Sequence, residues 1–329
     1  MPRRLRVSWV GALLLTVFVL AAAVTDSLAQ QTYPTKSIAW VVTFAAGGGG
    51  DVVARVIAKH LTKELGQPVN IVNKPGGNSI PGVLSVLNSA PDGYNLLFMG
   101  SAQSSLQALQ KNLPYKLDEQ TWTWGPFTNR GPYVYAVNAK APWKTLKDFV
   151  EAARKNPESI RMGWLGGSSG TDFTLLRFLD VAGIDAKKVR KVPFTGSGPS
   201  MTALAGGHID LSGGLASAAF ALLASGDVRL LAITGDQRFR TLPDVPSSKE
   251  AGFHVSFTGW NGITAPKGLP KEVLNRIDQA VKKIMQDPEY AKDLEAVGHL
   301  PMYEPPDKMW PLIKEEIDEF QKLQAKSGS

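Results

Sequence analysis

The pattern that most resembles a catalytic motif is Gly166-Gly167-Ser168-Ser169-Gly170, which reads G-x-S-x-G. It lies between a predicted strand over 160–165 and a predicted helix over 172–181, the context that holds the nucleophilic serine of α/β-hydrolases. Candidates for the acid and the base follow in the required order: Asp210, Asp227 or Asp236, then His254 or His299. Ser168 is therefore a candidate nucleophile, although short glycine-rich turns also produce this pattern by chance.

A second kind of chemistry is anion binding at the starts of helices. Glycine- and hydroxyl-rich loops occupy residues 45–51, 166–171 and 194–200, and each leads from a predicted strand into a predicted helix. The free N–H groups and the dipole at a helix N-terminus attract anions. Opposed across a cleft, three such loops would form a cage of neutral donors for an anion. Plain turns need the same residues, so the pattern alone leaves both interpretations open.

The first of these loops does not match a nucleotide-binding fingerprint. Four glycines are followed by Asp51, no Lys-Ser or Lys-Thr pair follows, and Val52 or Val53 stands where G-x-G-x-x-G requires its third glycine. Nucleotide binding is therefore not expected. Asp51 is predicted to be the N-cap of the helix over 51–65, with a direct contact to a ligand as the alternative.

The composition excludes several classes of site. The chain has no cysteine, which rules out disulfides, thiolate metal sites and a cysteine nucleophile. Its four histidines are far apart and none forms an i,i+4 pair, so we expect no metal and no cofactor. The excess of Lys and Arg is dispersed rather than clustered with aromatic residues, which argues against nucleic acid as a partner.

The N-terminus has the organisation of an export signal. Arg3, Arg4 and Arg6 precede an apolar run over 7–24, and Ser27 and Ala29 stand at the usual cleavage offsets. About 18 apolar residues can also span a bilayer, but the small residues and the polar stretch from Gln30 favour cleavage. Removing residues 1–29 takes away three arginines and one aspartate, which lowers the formal charge from +7 to +5. We therefore expect a soluble, exported protein.

The remaining chain alternates strands and helices, which predicts an α/β fold with mainly parallel sheets flanked by helices. The predicted strands cover 37–44, 69–72, 94–99, 122–127, 133–138, 160–165, 189–193, 208–211, 228–234 and 255–264. The predicted helices cover 51–65, 81–88, 146–155, 172–181, 200–205, 218–225, 271–286, 289–297 and 308–325. Crossings at 128–132 and 255–264 predict two lobes, 30–128 plus 257–329 and 129–256, with the site in the cleft between them.

Many short motifs resemble, in the same order, those of the Bug family, the extracytoplasmic solute receptors of tripartite tricarboxylate transporters. They include YPTK at 33–36, DVVAR at 51–55, LGQPV at 65–69, NKPG at 73–76, APDGY at 90–94, VPFTGS at 192–197, AGGHID at 205–210, LPDVP at 242–246, WNG at 260–262 and APKGLP at 265–270. The resemblance covers nearly all of the chain after residue 30.

The resemblance implies a two-lobed, type II-like periplasmic binding protein rather than an enzyme. Such a protein closes on a small organic acid, here a di- or tricarboxylate or an aromatic acid, and delivers it to the membrane permease subunits of the transporter. We expect it to act as a monomer in the periplasm. Because the resemblance assigns Ser168 to a binding loop, a secreted serine hydrolase remains only as the alternative.

The resemblance also implies a set of ligand-binding residues. In the first lobe they are Phe44, Ala45, Ala46, Gly47, Gly48, Gly49, Gly100 and Ser101. In the second lobe they are Ser169, Gly170, Thr171, Asp172, Thr195, Gly196, Ser197 and Asp210.

Some positions depart from the pattern of the family. The first loop has Ala45-Ala46 where relatives carry two prolines, and Thr174 stands where many relatives have His. Trp124, Trp164 and Trp260 are candidates for lining a pocket for an aromatic acid, with burial in the core as the alternative.

Overall fold

The computed structural model describes residues 33–327 except Lys111 and Ser168. The predicted export signal over 1–29 and the candidate nucleophile Ser168 therefore lie outside the described residues. Within the described ranges, no helix is both long enough and apolar enough to cross a membrane.

The described chain alternates strands and helices as the α/β prediction requires. The strands are β1 (Ile38–Val42), β2 (Val69–Asn73), β3 (Asn95–Gly100), β4 (Trp122–Asn138), β5 (Arg161–Trp164), β6 (Arg190–Pro193), β7 (Ser212–Leu215), β8 (Val228–Ile233), β9 (Thr258–Pro266) and β10 (Leu300–Pro301). The helices are α1 (Gly49–Leu65), α2 (Ile80–Leu87), α3 (Ser101–Leu109), α4 (Leu146–Lys155), α5 (Gly170–Val181), α6 (Ser197–Ala205), α7 (Phe220–Ala224), α8 (Lys271–Ile284), α9 (Pro288–Glu295) and α10 (Pro306–Ser327).

The long strand β4 connects two groups of elements. Up to Pro132 it pairs with β9, and from Tyr133 it pairs with β7 and β8. The prediction of two strands separated by a crossing at 128–132 is therefore wrong, because one strand runs through that segment. Pro132 has no N–H to donate, and it stands where β4 changes partners, so the missing donor does not interrupt a ladder.

The sheets are mixed, whereas the sequence predicts mainly parallel ones. The first sheet has the order β10-β4-β9-β3-β1-β2, with β1 parallel to both β2 and β3. Every antiparallel pair among the described strands includes β4 or β9, the strands that run between the two groups. We name the elements around β1 to β3 the first lobe and those around β5 to β8 the second lobe. The exact boundaries at 128/129 and 256/257 stay predictions.

Each lobe buries apolar side chains on both faces of its strands. In β1, Trp40 and Val42 face one core with α1 and α8, while Val41 faces the other with α3 and α10. In β4, Tyr135 and Val134 likewise belong to different cores of the second lobe. Burying one such side chain contributes about 1.5–3 kcal/mol. Strands that are covered on both faces read as continuous apolar runs, which is why these strands were predictable.

Three local predictions need correction. Helix α1 begins at Gly49 after Gly48 as N-cap, so Asp51 lies in its first turn and is not the N-cap. The strand predicted over 208–211 is reduced to a parallel bridge between Leu211 and Met162 of β5, and β7 begins at Ser212. Helix α3 was not predicted, because it follows β3 directly and its first turn is polar.

Asp51 instead joins three elements of the first lobe. Its carboxylate accepts hydrogen bonds from Gly47 N–H at 2.9 Å, Arg55 Nε at 2.9 Å and Asn73 Nδ2 at 2.8 Å. Burial acts to raise the pKa of Asp51, but these hydrogen bonds together hold the pKa below its ordinary value. The residue therefore fixes the loop before α1.

Candidate functional site

Two adjoining cavities lie between the lobes. The outer chamber has a volume of about 280 Å³, and the inner chamber of about 30 Å³ adjoins it. Phe44 and Ala102 of the first lobe and Leu165 and Ser169 of the second line both chambers. About 10–15 Å³ of such space is enough for one water, so the inner chamber admits a small polar group and the outer chamber admits a larger one.

The structure brings part of the predicted set together around these chambers. Phe44, Gly100, Ser101, Ser169, Gly170, Thr171 and Ser197 line the inner chamber, and Phe44, Ser169, Thr195 and Gly196 line the outer one. The predicted residues that line neither chamber are Ala45, Ala46, Gly47, Gly48, Gly49, Asp172 and Asp210.

Three helix N-termini meet at the inner chamber. The first residues of α3, α5 and α6 are Ser101, Gly170 and Ser197, and all three line it. Each helix presents free N–H groups and a partial positive charge at this end. The sequence predicts that the starts of α1, α5 and α6 converge. Gly50, in the first turn of α1, also lines the inner chamber, and α3 is the helix start that the loop pattern did not predict. The helix starts therefore offer N–H donors to an anion without a charged side chain.

The loop before α1 packs against the second lobe. The Gly49 N–H lies 3.4 Å from Ser197 Oγ, and Ser217 Oγ donates to the Gly49 carbonyl at 3.0 Å. A Cβ on Gly198 would lie 2.8 Å from the Gly47 carbonyl oxygen. The glycines on both sides therefore permit backbone-to-backbone contact between the lobes.

We predict that Gly198→Ala holds the lobes apart, because the new methyl group meets backbone that cannot move aside cheaply. Ligand affinity is expected to fall at least tenfold while the far-ultraviolet circular dichroism stays unchanged. Gly206→Ala, at the other end of α6, is the control, since its nearest neighbour is the side chain of the exposed His208. Equal affinities for the two variants would contradict the prediction.

The inner chamber is lined by neutral donors. The Thr171 hydroxyl and the Asn261 Nδ2 group have no hydrogen-bond partner among the described residues, and both side chains are buried. Ser101 Oγ and Tyr133 Oη lie 3.2 Å apart, so one of the two protons stays available. Burial raises the pKa of the Tyr133 hydroxyl above its ordinary value, which keeps it protonated. Of the residues described, no charged one lines either chamber.

Hydrogen bonds behind these donors fix their directions. Asn261 Oδ1 accepts from Asn129 Nδ2 at 3.2 Å, which leaves Asn261 Nδ2 as the free end of its amide. Gln103 accepts from the Gly100 N–H at 2.9 Å and donates to Thr43 at 2.8 Å. These two hydrogen bonds fix the first turn of α3. The donors that face the chamber are thus preorganised.

Two predicted acidic residues have structural roles. Asp172 is fully buried and accepts from Leu165 N–H, Gly167 N–H and Ser169 Oγ at 2.8–2.9 Å, so it shapes the loop before α5. Burial raises the pKa of Asp172 despite these hydrogen bonds. Asp210 accepts from Arg161 Nε at 2.9 Å and Nη2 at 2.8 Å. Neither carboxylate lines a chamber.

The residues that sequence reasoning missed come mainly from the crossing strands and from segment 76–79. Tyr133 on β4 and Asn261 on β9 line the inner chamber, and Asn78 lines the outer one. For Asn261, the available sequence signal was an amide side chain within the mostly apolar strand β9.

None of the three tryptophans lines either chamber, and all three pack in or against the apolar cores, as the alternative interpretation expects. Trp124 stacks on Trp310 with ring centroids 5.5 Å apart, and Trp260 stacks on Phe127 at 4.7 Å. Trp164 packs against the second-lobe core, with Lys191 Nζ 4.7 Å from its ring centroid.

The histidines of the hydrolase hypothesis also lie elsewhere. His254 pairs with Asp236, and both are exposed. His299 is buried between Asn129 and Ser217. Neither histidine lines a chamber beside residues 166–170, so the base of a triad is not placed there.

Comparisons with known proteins agree with the fold. The sequence model of the tripartite tricarboxylate transporter family receptor matches residues 53–328. The structure of the periplasmic binding protein BugD is similar, with 27% identity, a TM-score of 0.84 and coverage of 90% of this chain and 99% of that one. MatC from Rhodopseudomonas palustris with bound malate has 28% identity, a TM-score of 0.80 and coverage of 88% and 99%. A second R. palustris protein, with adipate, has 25% identity, a TM-score of 0.84 and coverage of 90% and 98%.

Proposed function

Since the chain belongs to the tripartite tricarboxylate transporter receptor family, whose members are periplasmic solute-binding receptors and not enzymes, we propose that it binds a small carboxylate between its lobes. The observation that carries the proposal is the inner chamber, where three helix N-termini and several unpartnered neutral donors meet. Structures of relatives with malate and adipate support an organic acid as the ligand class.

The two chambers bind different parts of the ligand. The carboxylate occupies the inner chamber, where Thr171, Asn261 and the N–H groups of α3, α5 and α6 donate to it. The rest of the ligand occupies the outer chamber, against Phe44, Leu106, Leu165 and Phe194. Fixed neutral donors bind an anion without the cost of burying a second charge.

Binding and lobe closure are coupled in this proposal. Donors from both lobes contact the same carboxylate, so the ligand binds the closed state more tightly than an open one. Differential affinity of this kind shifts the population toward the closed state. The receptor acts in the periplasm as a monomer and passes the acid to the membrane permease subunits of the transporter.

The experiment is calorimetric titration of the purified mature chain with malate, adipate, hexanoate, terephthalate and benzoate at pH 7.5. A panel of thermal-shift measurements with the same acids checks that binding stabilises the fold. Absence of heat and of any thermal shift with every acid would refute the proposal.

Thr171→Val tests one donor within this site. The substitution keeps the shape and removes a hydroxyl with no partner in the described structure. We expect affinity for the bound acid to fall about tenfold, the usual value of one hydrogen bond to a charged group. Thr202→Val, on the exposed side of α6, is expected to leave the affinity unchanged.

A further inference from the structure

The segment over 76–79 has an unusual backbone where it lines the outer chamber. Gly76, Gly77, Asn78 and Ser79 all have positive φ, at 90°, 51°, 52° and 68°. Asn78 and Ser79 carry a Cβ atom, for which this left-handed region is unfavourable. All four residues line the outer chamber from the first lobe. Backbone held in such a region by its surroundings is common at ligand sites.

Asn78 reaches across the cleft to the second lobe. Its Oδ1 atom would lie 2.5 Å from a Cβ on Gly166, so only a glycine there permits the approach. Gly166 itself has φ of 104°, a value that also favours glycine. The carboxamide also carries an Nδ2 donor, and because Asn78 lines the outer chamber we take this donor as the group offered to a ligand. Among the described residues, the Asn78 carboxamide has no hydrogen-bond partner.

Apolar side chains line the outer chamber together with Asn78. They are Phe44 and Leu106 of the first lobe and Leu165 and Phe194 of the second, and the polar residues beside them include Thr43, Ser169 and Thr195. A ligand that fills the site therefore carries a carboxylate at one end, an apolar spacer in the middle, and an end group facing the Asn78 donor.

We propose that Asn78 is the specificity-determining residue for the far end of the ligand, selecting acids whose second end is a hydrogen-bond acceptor, most simply a second carboxylate. The inference rests on the proposed function, because it assumes that the first carboxylate occupies the inner chamber. The requirement for a second acceptor comes from Asn78, because the inner chamber binds only the first carboxylate.

Two matched pairs of acids test the proposal by calorimetric titration at pH 7.5. Adipate and hexanoate share a six-carbon chain, and terephthalate and benzoate share a ring; within each pair only the second carboxylate differs. The wild-type protein is expected to bind the diacid at least tenfold more tightly in at least one pair. Equal affinities within both pairs would overturn the inference while leaving the proposed function intact.

The variants Asn78→Gly and Asn78→Asp then assign the selectivity to this residue. Glycine and aspartate both tolerate a positive φ, so neither substitution strains the backbone. Asn78→Gly should lower diacid affinity about tenfold and leave the monoacid unchanged. Asn78→Asp should lower diacid affinity about a hundredfold, because a carboxylate replaces the donor. Asn70→Asp, exposed on β2, is the control for the added charge and should bind like the wild type.

The possible failures are distinguishable. If Asn78→Gly lowers the affinity for both acids of a pair equally, or for neither, Asn78 does not select the second end group of the ligand and the inference is wrong. If no acid binds to the wild type, the proposed function itself fails. Thermal unfolding of each variant without ligand shows whether a lost affinity reflects lost folding.

Discussion

Asn261→Asp is expected to abolish carboxylate binding while leaving the fold intact. The side chain is almost isosteric, and its Oδ1 atom retains the hydrogen bond from Asn129 Nδ2. The other end changes from a neutral donor to an anionic oxygen that faces the inner chamber. Two like charges about 4 Å apart repel by about 4 kcal/mol at the effective dielectric constant of partly buried sites. This repulsion corresponds to an affinity about a thousandfold lower.

The measurement is a titration at pH 8 with the acid that the wild-type protein binds most tightly. Asn261→Ala separates two effects, since it removes the donor without adding a charge and is expected to cost about tenfold. Asn70→Asp adds the same charge on the exposed side of β2. An Asn261→Asp protein that binds as tightly as the alanine variant would show that the carboxylate does not occupy the inner chamber.

The second large effect is a loss of stability in mild acid that depends on His299. The imidazole is fully buried, with Nδ1 2.8 Å from Asn129 Nδ2 and Nε2 3.2 Å from Ser217 Oγ. Ser217 Oγ donates in turn to the Gly49 carbonyl. These contacts suit a neutral ring that accepts from Asn129 and donates to Ser217. The network joins β4, the second lobe and the start of α1.

Burial lowers the pKa of His299 to about 3, from an ordinary value of 6.5. The unfolded chain takes up a proton as the pH falls below 6.5, whereas the folded chain does not until about pH 3. Stability from this group is therefore complete above pH 6.5 and declines as the pH falls toward 3, by up to about 1.4 kcal/mol per unit. Between pH 6.5 and 4.5 the loss amounts to about 2 kcal/mol.

Urea unfolding of the wild type and of His299→Gln between pH 4.5 and 7.5 measures this loss. The glutamine variant is expected to be less stable at pH 7.5 and to lack the decline attributable to His299. Taking the difference between the two curves removes the contribution of Asp172, whose raised pKa acts in the opposite direction. His208→Gln, at an exposed position three residues after the end of α6, should follow the wild type. Parallel curves for the wild type and His299→Gln would exclude His299 as the cause.

Several elements could be predicted because the residues that decide them are neighbours in sequence. Helix α4 has the predicted bounds, since Thr145 and Asp148 form a capping box at its start and its apolar residues recur at helical spacing. Strand β1 was recognisable from its apolar run. The ordered motifs also identified the family, which the comparisons confirm.

The elements that were wrong depend on distant contacts. Helix α3 begins directly after β3, and its start is fixed by Gln103, whose amide bonds both Gly100 and Thr43. Strand β4 continues through Pro132 because β9 and β7 supply partners on either side of it. Neither partner is close in sequence, so periodicity and turn residues gave no sign of them.

The sequence by itself determined the α/β class, the family and the chemistry of neutral donors at helix starts, because glycine, serine and threonine have that capacity wherever a helix begins. Only the tertiary structure decided which helix starts meet at one chamber. Thr171, Asn261 and Ser101 come from different elements, and their donors converge only after the crossing strands bring the lobes together. The glycine loop before α1 is a second example. Its backbone contacts Gly198 of the second lobe, and no local sequence pattern predicts a contact between residues so far apart in the chain.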